Sequence, residues 1–299
     1  MAPHPLGRTV LAGLALALLA QRFALAQDTS KLVAQMRQLK AAPQTPAAGG
    51  VGCQPSGGSG SCRVRLPGYP QDVAFFFTSW PPPKGARLVL YLHGHLQDFD
   101  TILKYFKFDK ILADSGSKNT VLIVPNGAGP GHTDETYRSE WRDAPDAGQR
   151  FRRFVAGVGT ILAGGGSSSG EPTLVLAGHS GAGSIMDHIL SCRRNDVCYK
   201  HVSEVYLLDG AYSPDYFDAY AKFAKEPGHR FISVFKGTAA NNETLRKMID
   251  PALKPLPGNV TREALAKQTV GFVSSSVEHM GTVSEYLPML LAPAPKAGN

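Results

Sequence analysis

The chain has 299 residues, of which 43% are hydrophobic and 18% charged, with a formal net charge of +7. That balance excludes a disordered or fibrous protein and suits one large globular domain or two small ones. The positive charge is spread along the chain, with no dense Lys/Arg run interleaved with aromatics, so no nucleic-acid partner is expected.

The first element is an N-terminal leader. Arg8 precedes an apolar run from Thr9 to Ala20, and Ala24-Leu25-Ala26 follows as a small-x-small cleavage pattern. Residues 1–26 therefore read as a secretory signal peptide cut after Ala26. The run is shorter than the roughly 20 residues that a spanning helix requires. No later stretch is long and apolar enough to span a bilayer, so the mature form is expected to be secreted or periplasmic, without a membrane span. Residues 27–61 hold a short amphipathic segment, Asp28 to Ala42, and a linker rich in Pro, Gly and Ser.

Four cysteines follow the leader: Cys53, Cys62, Cys192 and Cys198. An even number in an exported chain suggests disulfides, and all three pairings stay open. The sequence-local pairs, Cys53–Cys62 and Cys192–Cys198, are the first expectation. No Cys-x-x-Cys occurs and no His stands at ligand spacing beside them, so no metal is expected.

From Cys62 to the end, 62–299, the pattern alternates. "CRVRLPG" and "DVAFFFTSW" read as a hairpin around Pro67-Gly68, "ARLVLYLHG" as a buried strand, and "DFDTILKYFKFDKILADSG" as one helix ended by Gly116. "NTVLIVPNG", "PTLVLAGHS", "HVSEVYLLDGAY", "HRFISVFKG" and "KQTVGFVSSS" are further strands. "RFRRFVAGVGTILAG", "GAGSIMDHILSC" and "TVSEYLPMLL" read as helices among or after them. Short, wholly apolar strands alternating with helices predict an α/β fold with a mostly parallel sheet covered on both faces.

In such a sheet the reactive groups sit in the loops at the carboxyl ends of strands. "GHSGAG" places Ser180 between a strand and a helix, the setting of a nucleophile elbow, with Ala182 where the pattern usually has glycine. A phosphate-binding loop would want Lys followed by Ser or Thr after the glycines, and none is present. A serine hydroxyl needs a base and an orienting carboxylate, expected in the order Ser, acid, His. His279, after the last apolar strand, is the candidate base. Asp209, at the end of "VYLLDG", is the candidate acid, with Glu243 in the next polar segment as its rival. Two backbone donors are expected for the oxyanion: the N–H of Gly181 and that of His95, after "LYLHG". His93 and His95 as a metal pair lack an acidic partner. The polar loop from Asn126 to Gln149 carries Tyr137 and Trp141, which are expected to line a substrate wall. The aromatics of "DGAYSPDYFDAY", Tyr212 among them, read as a helix packing face.

The order of "LHGH", "GHSGAG", "LLDG" and "EHMG" over roughly residues 62–291 resembles the α/β-hydrolase superfamily. More narrowly, the segment from "LVLYLHGHLQDFD" through "EWRDAPD" to "LVLAGHSGAG" is similar to secreted esterases of the feruloyl esterase and polyhydroxyalkanoate depolymerase type. The resemblance implies a cofactor-free triad of Ser180, His279 and Asp209, with the His95 and Gly181 amides as oxyanion donors. The expected substrate is a small-molecule or polymeric ester. An amidase or peptidase acting on extracellular material, and a non-catalytic binding protein on the same scaffold, are the alternatives.

Overall fold

In the computed structural model, eight apolar runs pair into one sheet. The structure describes residues 59–66, 68–94, 98–127, 135–163, 172–191 and 199–293. The expected leader, the segment Asp28 to Ala42, Cys53, Cys192, Cys198 and His95 lie outside these.

The strands are β1 (Gly60–Arg65), β2 (Asp72–Phe77), β3 (Arg87–Leu92), β4 (Thr120–Pro125), β5 (Leu174–His179), β6 (Val202–Leu208), β7 (Arg230–Phe235) and β8 (Val270–Ser274). Their order is β1-β2-β4-β3-β5-β6-β7-β8. β1 and β2 form the expected antiparallel hairpin, and β2 also runs antiparallel to β4. From β4 to β8 every pairing is parallel. Consecutive residues of β4 and β5 are all buried, so both faces of the sheet are covered. That is why these strands lack the apolar–polar alternation of a half-solvated sheet.

The helices among the described residues are α1 (Phe99–Phe106), α2 (Phe108–Ser115), α3 (Glu135–Trp141), α4 (Ala147–Leu162), α5 (Gly183–Ser191), α6 (Phe217–Lys225), α7 (Ala239–Ile249), α8 (Arg262–Ala266) and α9 (Gly281–Leu291). The single helix expected over 98–116 is split at Lys107, whose φ is 51°. Phe106 and Phe108 on either side are both buried. The break turns both rings into the core, and that packing outweighs the cost of a left-handed residue.

One polar clamp fixes the edge of the sheet opposite the strand exits. Arg87 and Arg230 hold Glu204 at 2.8 and 3.2 Å. Arg87 also donates to the carbonyl of Leu291 at 3.2 Å, tying the end of α9 to the start of β3. Since α9 directly follows His279, this anchor bears on the site.

Candidate active site

β5 ends at His179, and the turn Ser180–Ala182 leads straight into α5. Ser180 takes φ 56°, a left-handed conformation that costs a non-glycine residue about 1–2 kcal/mol. The turn is tight because its neighbours are small. A Cβ on Gly183 would run into the carbonyl oxygen of Gly210, which belongs to the loop after β6. Ala182, by contrast, is buried without conflict at 1% exposure. The close approach that demands glycine thus falls on position 183, and the methyl at 182 is accommodated.

Asp209 leaves β6 with φ 47° and is wholly buried. Five donors meet its carboxylate. The N–H groups of Lys236 and Thr238 bond Oδ1 at 3.1 Å, and the Thr238 hydroxyl bonds it at 2.7 Å. Gly237 N–H bonds Oδ2 at 3.1 Å, and His279 Nδ1 stands 2.8 Å from the same oxygen. Burial alone would raise the pKa of such a group. The hydrogen bonds from His279, Thr238 and the Lys236 backbone outweigh it and hold the carboxyl well below the usual carboxylate range. An ionised carboxylate only accepts, so His279 carries its proton on Nδ1, and Nε2 is left as the basic nitrogen.

His279 lies half-buried just before α9. Its carbonyl accepts from Thr282 Oγ1 at 2.7 Å and from His179 Nε2 at 3.2 Å. The exit of β3 closes the site from the other side. A Cβ on Gly94 would stand 2.7 Å from Ser180 Cβ and 3.2 Å from its Oγ, so only glycine lets that backbone run beside the serine. His93 braces this loop: its Nε2 accepts from Gly127 N–H at 2.9 Å, and its Nδ1 is 3.1 Å from the Gly94 carbonyl. Gly181, next in the chain after Ser180, is half-buried in the turn. Among the described residues no group of three or more His, Cys, Asp or Glu could hold a metal ion.

No protein-family model and no curated protein matches the chain. Solved structures do. A serine-to-alanine mutant of the feruloyl esterase module from Clostridium thermocellum, complexed with sinapinate, superposes with a TM-score of 0.53 at 12% identity, covering 83% of this chain and 95% of that one. A protein called FAE superposes with a TM-score of 0.50 at 14% identity, covering 80% and 89%. The chain has the α/β-hydrolase fold.

Within this hydrolase fold the structure bonds Asp209, at the exit of β6, to His279, after β8, and places Ser180 at the exit of β5 beside β6. Glu243 is elsewhere: it sits on α7, bonded to Arg246 at 2.8 Å and 3.1 Å from Lys247, which hold its pKa down to about 2. Tyr137 and Trp141 do not form a wall. They are 0% and 2% exposed, stacked on each other at 5.4 Å, and the Tyr137 hydroxyl donates to the Pro125 carbonyl at 2.6 Å. The supposed loop contains α3, and burying its aromatic face stabilises it more than exposure would. The aromatic run after Asp209 divides: Phe217 and Tyr220 are buried as a packing face requires, whereas Tyr212 is 51% exposed beside the serine. The expected packing face therefore does not include Tyr212. Its position three residues after the candidate acid, ahead of the Ser213-Pro214 helix start, was the available signal.

Proposed function

We propose that the protein is a secreted serine hydrolase that cleaves carboxylic esters through an acyl-enzyme. The observation carrying this reading is the 2.8 Å bond between His279 Nδ1 and the buried Asp209 carboxylate, at the same sheet edge as a strained serine. Ser180 Oγ attacks the acyl carbonyl while His279 Nε2 takes its proton. The tetrahedral oxyanion is met by the backbone N–H of Gly181 and that of His95. His279 then protonates the departing alcohol, and the same imidazole activates the water that releases the carboxylic acid. Asp209 keeps the imidazole in the required tautomer and offsets its charge. Export rests on the leader pattern of residues 1–26. The proposal of disulfides is supported by Cys62, which does not stand as a free thiol.

The experiment is labelling of the mature protein with a fluorophosphonate probe, together with hydrolysis of short p-nitrophenyl esters, for wild type and Ser180→Ala. Labelling and turnover that vanish in Ser180→Ala are expected. A wild type that does neither would leave only a non-catalytic scaffold, and labelling without ester turnover would shift the reading to amides.

A further inference from the structure

The loop after β6 delivers a second group besides Asp209. The hydroxyl of Tyr212 faces the side chain of Ser180. Its ring stands edge-on to that of His279, with 6.3 Å between centroids. The loop is pinned: Asn241 Nδ2 donates to the carbonyls of Ala211 and Tyr212 at 2.8 and 2.9 Å, and Tyr212 N–H closes on the Gly210 carbonyl at 3.0 Å. A half-exposed aromatic held in place by its backbone, with its ring against His279 and its side chain toward Ser180, has no explanation in packing.

The sheet order shows which side of the serine it occupies. β3 and β6 flank β5 on opposite sides. Gly94 reaches Ser180 from the β3 side, where the oxyanion donors are expected. Tyr212 comes from the β6 side, toward which β8 brings His279. In acyl transfer the alcohol departs on the side of the base, because the base returns its proton to the leaving oxygen.

We propose that Tyr212 is a catalytic residue of the leaving-group side, selecting esters of aliphatic alcohols. In the free protein its hydroxyl faces the Ser180 side chain. When an ester binds, it turns to the alcohol oxygen and donates to it as the acyl C–O bond breaks. His279 gives its proton to that oxygen, the alcohol leaves neutral, and Tyr212 retains its own proton. Burial raises the phenol pKa, which keeps it a donor throughout. An alkoxide needs this help far more than a nitrophenolate, which departs as a stable anion. The inference rests on the ester-hydrolase reading above.

The test is kcat/KM of wild type and Tyr212→Phe on two esters of one short acyl group, an ethyl ester and a p-nitrophenyl ester, with fluorophosphonate labelling in parallel. Tyr212→Phe is expected to lose about 10-fold more on the ethyl ester than on the p-nitrophenyl ester, the effect of one hydrogen bond made in the transition state. Its melting temperature should match wild type, since the ring and the backbone bonds that pin the loop are kept. Equal losses on both esters, or none on either, overturn the assignment while labelling at Ser180 leaves the hydrolase reading intact. A wild type that neither labels nor turns over either ester removes both.

Discussion

His179 and His279 lie ring against ring, 4.4 Å between centroids, and Nε2 of His179 is 3.2 Å from the carbonyl oxygen of His279. A carbonyl only accepts, so His179 carries its proton on Nε2. Its buried Nδ1 has no hydrogen-bond partner among the described residues. Burial, with His279 beside it, pushes its pKa down from 6.5 to about 3.

A histidine kept neutral in the fold makes stability depend on acid. Below the unfolded pKa the unfolded chain binds a proton that the folded one refuses. Stability is therefore full above about pH 6.5 and is lost toward pH 3, by up to about 1.4 kcal/mol per pH unit. His179→Gln keeps a donor for the His279 carbonyl and cannot titrate. Urea unfolding between about pH 7 and pH 4 should show a shallower decline for this variant than for wild type. Parallel declines would remove His179 as the source.

Asp209→Asn leaves the shape intact but turns a donor toward Nδ1 and favours the wrong tautomer. The expected loss in kcat is about 10⁴-fold. Glu243→Gln should stay within about twofold in kcat, because among the described residues Glu243 bonds only Arg246 and Lys247 and touches neither Asp209 nor His279. Steady-state hydrolysis of a p-nitrophenyl ester compares them. A larger loss at Glu243 would sink the assignment of the acid.

The strain at Ser180 gives a prediction of opposite sign. Ser180→Ala and Ser180→Gly should both abolish labelling. Only glycine relieves the left-handed φ of 56°, so Ser180→Gly is expected to be more stable than Ser180→Ala by about 1 kcal/mol. Differential scanning calorimetry of the two inactive proteins reads this directly.

Gly183→Ala places a methyl where the Gly210 carbonyl oxygen already stands. Since both partners are backbone, the turn after β6 must move, and a loss of about 3 kcal/mol or more is expected, with Asp209 displaced. Ala182→Gly should cost only about 1 kcal/mol and leave kcat unchanged. Denaturant melts and kcat for the pair distinguish the two positions.

The chain order of strands and the residues that meet at their exits were legible because each is a local signal. Wholly apolar runs mark strands buried on both faces, and Ser180, Asp209 and His279 each stand where such a run stops. What was not legible depends on partners far away in sequence. The burial of Trp141, on which Tyr137 stacks, is decided by Tyr69, which stacks on it, and Phe154, which packs against it at a tilt. The break at Lys107 is decided by what receives Phe106 and Phe108. Tyr212 looked like one more aromatic of a helix because nothing local says that the helix starts after it. Glycine at 183 rather than 182 likewise becomes intelligible only once Gly210 is seen across from it.

The clamp from Arg87 to the Leu291 carbonyl joins one of the first strands made to one of the last helices. His279 sits just upstream of that helix, and its acid partner lies 70 residues earlier. A growing polypeptide therefore displays Ser180 on its turn long before His279 is made. On the hydrolase reading proposed above, chemistry waits for α9 to dock, so a chain still in synthesis is silent toward esters.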